Sequence, residues 1–564
     1  MKTNYFLLIL LAPFLFFAQA TPFTGTTVPD LTGYGEATNH VGQAEYQIFK
    51  SADDVLDKPI IVIDGFDPGD NRKITGIYDL LNYTDTNSTQ NLADLVIADN
   101  YDVIILNFPI YTRSADMVEI DGGADFIERN AMLLVDLINI INTEKTVDAE
   151  DLVIIGPSMG GLISRYALNY MESESIDHET RLWLSFDSPH YGANVPIGFQ
   201  HQFNYLANGL ADNNILELQP VVNGMLKSAA ARQMLVDHFE AHLEDGSVAD
   251  FDAAKLLPEA HPWRTIFNDN INGLTTSGFP ENTRNISIIN GSGIGMSYND
   301  KTDNPISPGF SVINSTFNVP DVPVQTNVEI EINFTPDIDS GSQLVSKVRL
   351  LLFGFIEIGG SQANSQTQPF SDGVDAASGG LFDIAGLTDG LDTSGLVGDF
   401  LGALTTDNFN FIPSVSAMAL DNDGEIDWFH TIDLGSPTGK TVQNSTPFVN
   451  WYMPDENQPH VQLTEENVAF ALAEINQSSL NNNSFDLLDF RIEKNPVANE
   501  ITILSNKNYN DSNVSVTDIT GKIVLQKNMR LNNRTPIPIN FASGMYILNI
   551  QTKNQLFQSK IVVK

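Results

Sequence analysis

The segment Leu152-Val153-Ile154-Ile155-Gly156-Pro157-Ser158-Met159-Gly160-Gly161 decides the fold of this chain. Its first four residues are apolar and mostly β-branched, which is typical of a strand that is buried on both faces of a sheet. The residues from about Gly160 to Met171 have the apolar spacing of a helix. A buried strand that passes through a short turn into a helix predicts one unit of an α/β fold.

Strand-like and helical patterns alternate on both sides of this segment. The helical stretch Ile127–Ile141 has apolar residues repeating at i, i+4 and i+8. The apolar runs of strand length are Pro59–Asp64, Val103–Asn107, Leu182–Phe186 and Ile286–Ile289. This alternation predicts a doubly wound α/β sheet with helices on both faces.

Composition excludes several classes of function. The 564 residues carry a formal net charge of −42, so we expect no nucleic-acid partner, because nucleic-acid binding needs basic patches that neutralise phosphate. Cysteine is absent, which excludes disulfide scaffolds, thiolate metal sites and cysteine nucleophiles.

The N-terminus predicts export. Lys2 is followed by an almost wholly apolar run, Tyr5–Phe17, and then by the small-residue pattern Ala18-Gln19-Ala20. We interpret residues 1–20 as a cleaved signal peptide, with an N-terminal membrane anchor as the alternative. No later stretch is apolar for about 18 residues, so we expect no stable membrane span in the mature protein.

Charge is distributed unevenly along the chain and indicates a domain boundary. Residues 485–564 contain 10 basic and 6 acidic side chains, whereas residues 21–484 contain 18 basic and 65 acidic ones. The stretch 477–484 is polar and rich in Asn and Ser, as linkers are. We therefore predict a main domain at 21–476, a linker at 477–484 and a separate domain at 485–564.

The final 80 or so residues predict a small all-β sandwich, because short β-rich runs alternate there with Asn, Gly and Asp turns. Four segments resemble the C-terminal sorting domain of the type IX secretion system of Bacteroidetes: Lys494–Val497, Asp518–Lys522, Ser543–Ile547 and Lys560–Lys564. The resemblance implies the secretion machinery as a partner, passage through the periplasm and outer membrane, and a secreted or cell-surface product. A carbohydrate-binding or adhesive β-module is the alternative.

The chemistry is centred on Ser158. The motif G-x-S-x-G, with Gly156 and Gly160 flanking the serine, is that of a nucleophile elbow, in which glycines allow a very tight turn. The run Gly160–Tyr166 resembles lipases and related α/β-hydrolases. The resemblance implies an α/β-hydrolase fold and a nucleophilic serine at position 158. An ordinary serine in a tight turn is the alternative.

An oxyanion hole requires two backbone N–H donors from different loops. Met159 N–H lies at the start of the helix after the serine. The loop Asp64–Gly69 follows an earlier strand, and Gly65 would let the backbone approach a substrate there. We therefore predict Phe66 N–H and Met159 N–H as the oxyanion donors.

The predicted general base is His460. In α/β-hydrolases the chain order is Ser, then Asp or Glu, then His. His460 stands in a loop directly before the last helix, Asn467–Ile475, where hydrolases of this class place the base. His430 is the second candidate.

The predicted acid is Asp372. The turn Ser371–Asp375 resembles the lipase turn that carries the aspartate, with Asp375 as the second candidate. Asp187 and His190 belong to a strand-and-turn segment that also resembles lipases. They come early for the usual acid and base, so we interpret them as structural residues near the site.

Two insertions interrupt the sheet pattern. Residues from about 195 to 280 are predicted to form a helical cap, and residues from about 291 to 368 a β-rich insertion. We predict no metal and no cofactor. His238 and His242 lack a third ligand and are expected on a solvated helix face, and the acidic loop Asp421–Asp427 leaves a calcium site open.

The expected function is a secreted serine ester hydrolase of the carboxylesterase or lipase type that acts on ester or lipid substrates. An acyltransferase or amidase with the same three residues is the close alternative. A non-catalytic surface-binding protein that keeps the hydrolase scaffold is the third.

Overall fold

The structure of the chain is a computed structural model. The described residues are 20–85, 88–210, 214–319, 324–388, 395–421, 424–434, 445–477, 490–492, 494, 496–505, 507–518, 522–552 and 556–564. The predicted signal peptide and linker lie almost wholly outside these ranges. The chain divides into two compact units, Met1–Asn476 and Gln477–Lys564, with the division at the start of the predicted linker.

The first unit is built around an eight-stranded sheet. Its strands are β1 (Thr21–Thr24), β2 (Gln43–Phe49), β3 (Pro59–Ile63), β4 (Asp102–Asn107), β5 (Leu152–Pro157), β6 (Thr180–Phe186), β7 (Arg284–Ile288) and β8 (Asn450–Tyr452). The spatial order is β1-β2-β4-β3-β5-β6-β7-β8. Strand β2 pairs antiparallel with both of its neighbours, and the other neighbouring pairs are parallel. The unit is therefore an α/β structure with a mixed, mostly parallel sheet.

The helices of this unit follow the strands along the chain. They are α1 (Lys73–Asp79), α2 (Leu92–Ala98), α3 (Ile127–Glu144), α4 (Met159–Ser173), α5 (Ile197–Asn208), α6 (Ala229–Met234), α7 (Phe239–His242), α8 (Pro262–Gly273), α9 (Leu396–Ala403), α10 (Ser414–Ala417) and α11 (Glu465–Ile475). Helices α5 to α8 and a π-helical segment, Pro220–Leu226, all lie between β6 and β7.

Apolar side chains point alternately to the two faces of the central strands, and they form an apolar core on each face of the sheet. Ile61 and Ile63 pack with α3 and α4 on one face, whereas Ile60 and Val62 pack with α1, α2 and α11 on the other. Successive strand residues point to opposite faces, so an uninterrupted apolar run is what a strand covered on both sides requires. This accounts for the β-branched runs in the sequence.

A second sheet is formed by residues that lie between β7 and β8 along the chain. Its four antiparallel strands, which we call the insertion sheet, are Ser311–Asn318, Thr326–Asn333, Gln343–Leu352 and Ile356–Ser365, paired in that order. A two-stranded sheet of Gly379–Asp383 and Asn408–Pro413 follows it. Shorter hairpins pair Asn82–Thr84 with Thr89–Asn91 and Ile110–Thr112 with Glu119–Asp121.

The second unit consists of two antiparallel sheets, as an all-β region predicts. One sheet contains Phe490–Ile492, Glu500–Ser505 and Arg534–Pro538, and the other contains Tyr509–Asp518, Ile523–Leu531, Gly544–Gln551 and Leu556–Val563. Residues from both sheets, including Ile501, Val516 and Leu548, form a separate apolar core. Within the described ranges of the whole chain, no helix has the length and hydropathy needed to cross a bilayer.

Candidate active site

Ser158 occupies the turn between β5 and α4. Its backbone has φ 54° and ψ −128°, a conformation that residues other than glycine rarely adopt. Its N–H donates to the carbonyl of Phe186 at the end of β6, at 2.8 Å. The serine is therefore held at the carboxyl end of the sheet, between a strand end and a helix N-terminus, as the G-x-S-x-G motif predicts.

The glycines around Ser158 are required by close contacts. A Cβ on Gly156 would lie 2.6 Å from the Gly160 carbonyl oxygen and 2.6 Å from the Ser164 hydroxyl. A Cβ on Gly160 would lie 3.1 Å from the Asp64 carbonyl oxygen, and one on Gly161 only 1.9 Å from a neighbouring hydroxyl. Gly156 and Gly161 are thus more tightly constrained than Gly160.

His460 lies directly beside the serine. Its Nε2 is 2.8 Å from Ser158 Oγ, and its Nδ1 is 2.7 Å from Asp187 Oδ2. The His460 N–H donates to the Leu381 carbonyl at 2.8 Å, which ties the histidine loop to the strand Gly379–Asp383. The structure therefore brings together two of the three residues that the sequence analysis selected, Ser158 and His460.

The third member of this group is Asp187, and not Asp372 as the sequence predicts. Asp187 follows β6 directly, and the last paired residue of β6, Phe186, lies opposite Pro157 of β5. Because the carboxyl ends of parallel neighbours meet at one edge, Asp187 and Ser158 lie close together. The side chain of Asp187 is fully buried, and its Oδ1 accepts a hydrogen bond from the N–H of Asn290 at 3.1 Å.

The structure places Asp372 and Asp375 away from His460. Asp372 Oδ1 accepts the N–H of Ile338 at 2.8 Å. Asp375 is buried and accepts hydrogen bonds from Thr335 and Asn194, and its burial raises the pKa of its carboxyl group. His430, the second candidate for the base, is exposed. The turn that carries the two aspartates resembles a lipase turn, but the position beside His460 Nδ1 is filled from β6.

Asn290 connects the acid to the histidine loop and was not selected from the sequence. Its N–H holds Asp187, and its carbonyl accepts the N–H of Gln458 at 2.8 Å. Its side-chain amide donates to Gln458 Oε1 at 3.0 Å and to the Gln462 carbonyl at 2.9 Å. The sequence signal that could have pointed to Asn290 is its position as a polar residue directly after the predicted strand Ile286–Ile289.

The predicted oxyanion donors come from two loops that meet at Ser158. A Cβ on Gly65 would lie 3.2 Å from Ser158 Cβ, so the Gly65–Phe66 backbone passes immediately beside the nucleophile. Met159 is the first residue of α4, and the N–H groups of a first helical turn have no acceptor inside their helix. Both backbone segments therefore lie directly beside Ser158.

The loop that contains Phe66 is braced by Arg72. The Arg72 guanidinium donates through Nε to Asp64 Oδ1 at 2.9 Å and through Nη2 to the Phe66 carbonyl at 2.7 Å. The Gly65 N–H donates to the same Asp64 oxygen at 2.9 Å. Burial raises the pKa of Asp64 to about 6, although the neighbouring arginine opposes this shift. This network holds the peptide groups on both sides of the Gly65–Phe66 peptide, which carries the Phe66 N–H.

A cavity of 120 Å³ opens onto the serine and the histidine. Its walls combine the polar groups of Ser158, His460 and Arg72 with apolar side chains, including Phe382 and Phe411. The Phe411 ring stands edge-on to the imidazole of His460, with the ring centroids 5.0 Å apart. The space is smaller than the roughly 300–1,000 Å³ of pockets for drug-sized ligands.

Three other histidines are structural. His190 is buried, its burial lowers its pKa well below the ordinary value, and its Nε2 lies 2.8 Å from Ser185 Oγ. His238 and His242 are buried as well, so the expectation of a solvated face was wrong. His238 lies 2.9 Å from the Leu226 carbonyl and His242 lies 2.6 Å from Asp237 Oδ1. The acidic loop Asp421–Asp427, for which a calcium site was left open, lies partly outside the described residues.

Comparisons with solved structures find esterases and serine hydrolases at low similarity. Est1E from Butyrivibrio proteoclasticus is 11% identical, with 33% of this chain and 56% of that chain covered and a TM-score of 0.18. An α/β serine hydrolase without a lid from Xanthomonas campestris is 13% identical, with 31% and 63% covered and a TM-score of 0.18. An esterase from Pyrobaculum calidifontis is 12% identical, with 48% and 76% covered and a TM-score of 0.22. This chain thus covers less than two thirds of the length of the first two proteins, and no curated protein matches it.

The tail gives a defined family match. Residues 495–564 match the family described as "Secretion system C-terminal sorting domain". This confirms the predicted tail, and with it export by type IX secretion to the cell surface or the extracellular space. The C-terminal residues 495–564 of this chain are a secretion-system sorting domain.

Proposed function

We propose that the first unit is a serine ester hydrolase with an α/β-hydrolase fold. The observation that carries the proposal is the continuous contact from Ser158 Oγ through the two nitrogens of His460 to Asp187 Oδ2, at 2.8 and 2.7 Å. The chain order Ser158, Asp187, His460 and the strand–turn–helix setting of the serine agree with this class. The nucleophile, the base and the residue that orients the base are therefore all available.

The proposed reaction begins with attack by Ser158 Oγ on the carbonyl carbon of an ester. His460 Nε2 takes the serine proton, and Asp187 holds the Nδ1–H tautomer and stabilises the imidazolium that forms. The N–H groups of Phe66 and Met159 donate to the oxyanion of the tetrahedral intermediate. His460 then returns the proton to the departing alcohol, and a water molecule hydrolyses the acyl-enzyme by the same steps.

The size of the site favours short acyl groups. The 120 Å³ cavity is bounded by Phe382 and Phe411 on one side and by side chains of β3, β5 and α1 on another. A long acyl chain would need more space than this cavity provides. We therefore propose carboxylic esters with short acyl groups, such as acetyl to butyryl, as the preferred substrates.

The test is hydrolysis of p-nitrophenyl acetate by the mature protein and by Ser158→Ala. The variant should lose kcat by a factor on the order of 10⁶, because the nucleophile acts together with its base. The same ester with a palmitoyl group should react more slowly than the acetate with the native enzyme. Failure of Ser158 to label with a fluorophosphonate in folded protein would rule out the proposed mechanism.

A further inference from the structure

A second cavity lies away from the serine, beside the insertion sheet. Its volume is 510 Å³, and it is lined by the insertion sheet, α5, α9 and the segment around Leu218. Among the described residues, none lines both this cavity and the one at Ser158. It is therefore a separate space, and its volume is within the range of about 300–1,000 Å³ that small-molecule sites occupy.

The lining of this cavity selects for hydrocarbon. Most of its lining side chains are aliphatic or phenylalanine, including Phe203, Val328 and Phe400. Gln202, Asn214 and Thr326 are polar, and the one charged side chain among its described lining residues is Glu217. Thr326, Val328 and Ile330 alternate along one strand on the same face, so the cavity follows that strand for about 13 Å. An elongated, mostly apolar slot with no cationic group among its described lining residues fits an uncharged chain better than a carboxylate or a phosphate.

The hairpin beside the cavity exposes large apolar side chains. Phe353 is 54% exposed, Phe355 is 75% exposed, and Ile358, which also lines the cavity, is 55% exposed. The nearby Arg349 is paired with Glu329 and Glu357, at 2.9 and 2.8 Å. The exposed apolar side chains of the hairpin thus adjoin the cavity through Ile358, and the guanidinium of Arg349 is neutralised by two carboxylates.

The backbone conformation of the hairpin turn is unfavourable for Phe353, the first of its two central residues. Phe353 has φ 55° and Gly354 has φ 77°, and the Phe355 N–H donates to the Leu352 carbonyl at 3.2 Å. Two positive φ values within such a turn are typical of a type I′ turn, whose first position normally holds Asn, Asp or Gly. A bulky aromatic residue that is both strained and exposed is best explained by a role in contact with a partner.

We infer that the insertion sheet is a docking site for uncharged long-chain lipid, with the Phe353–Ile358 hairpin entering the lipid phase and the 510 Å³ cavity holding one hydrocarbon chain. The net charge of −42 disfavours an anionic membrane as the partner. This binding does not depend on the chemistry at Ser158, so each proposal can fail independently.

The cavity is tested by displacement of the neutral fluorophore N-phenyl-1-naphthylamine from the Ser158→Ala protein by 1-alcohols from butanol to hexadecanol. Affinity should rise by up to about fourfold per added methylene until the cavity is filled. Ile358→Glu, at the exposed rim, should weaken binding, whereas Val147→Glu makes the same charge change at an exposed position outside the lining and should leave it unchanged. No dependence on chain length would overturn the assignment.

The hairpin is tested by adsorption of the full chain to a trioleoylglycerol emulsion and to vesicles of anionic phosphatidylglycerol. The native protein should adsorb to the emulsion and not to the vesicles. Phe353→Asn should reduce adsorption about tenfold and, because Asn-Gly suits the turn, should also raise the unfolding temperature. Its hydrolysis of p-nitrophenyl acetate should stay unchanged. Equal adsorption of Phe353→Asn and native protein, or tighter binding to the vesicles, would refute the docking site.

Discussion

Three residues at the candidate site have positive φ angles: Ser158 at 54°, Asp187 at 46° and Val461, which follows His460, at 52°. A β-branched residue such as Val461 is a genuine outlier in this region. Strained residues persist where the surroundings hold them in place, and they concentrate at functional sites. Here the strain lies at, or next to, each member of the Ser158–His460–Asp187 group, which links the local backbone geometry to the placement of the side chains.

The strain at Ser158 predicts a difference between two inactive variants. Ser158→Gly should be about 1–2 kcal/mol more stable than Ser158→Ala, because glycine adopts this backbone conformation without the steric cost that alanine keeps. Both variants lack the nucleophile, so loss of activity does not distinguish them. Urea unfolding measures the difference, and equal stabilities would show that the turn is not strained.

The corrected acid gives a second prediction at this scale. Asp187→Asn should lower kcat for p-nitrophenyl acetate by about 10⁴-fold, because an amide at this position favours the wrong imidazole tautomer. Asp372→Asn is the matched control: its amide oxygen can still accept the Ile338 N–H, and activity should be unchanged. A reversed result would restore Asp372 as the orienting residue.

At the scale of elements, the short strand Gly379–Asp383 holds the loop that carries His460. Leu381 accepts the His460 N–H at 2.8 Å, and the Leu381 N–H donates to the Gln458 carbonyl at 2.9 Å. The strand also passes so close to the acid that a Cβ on Gly380 would lie 2.0 Å from Asp187 Oδ2. One strand therefore limits the positions of both the histidine and the aspartate.

This contact predicts that Gly380→Ala displaces the Asp187 carboxylate. The variant should lose roughly 10²-fold in kcat, because a shift of about 1 Å at a catalytic group has an effect of this size. Gly402→Ala is the control, since a Cβ there meets no atom within 4 Å. The control should keep its activity and gain slightly in stability, because alanine is the better helix former. Normal kcat in Gly380→Ala would contradict the assigned contact.

At the scale of the whole molecule, the two units have separate apolar cores. The Ser158–His460–Asp187 group lies in the unit that ends at Asn476, and the sorting domain lies in the other. The acidic charge is also concentrated before the sorting domain, because residues 21–484 carry 65 of the 71 acidic side chains. An acidic unit of this kind repels polyanions.

The division predicts that a chain truncated after Asn476 folds and hydrolyses p-nitrophenyl acetate with the native kcat/KM, but is not exported from the cell. Enzyme assays on purified protein test the first part, and cell fractionation in a host with a type IX system tests the second. Export of the truncated chain would mean that the sorting signal is not confined to residues 495–564.

Local patterns in the sequence were sufficient for several features. The β-branched run before Gly156 predicts a strand covered on both faces, and the tight glycine spacing predicts the serine turn, because both depend on residues that are neighbours along the chain. The short motifs of the tail are likewise local, and they identified the sorting domain.

Only the tertiary structure decided which carboxylate meets His460. The sequence offers 71 acidic residues, and a familiar turn motif favoured Asp372, but parallel pairing of β5 with β6 brings the end of β6 to the serine and so places Asp187 there. The tertiary structure also decided three other features: the hydrogen bonds of Asn290 to Asp187 and the histidine loop, the close approach of Gly380 to Asp187, and the cavity beside the insertion sheet. Each joins segments that are far apart in the chain, and contacts of this kind are set by strand order and packing, which periodicity and spacing do not encode.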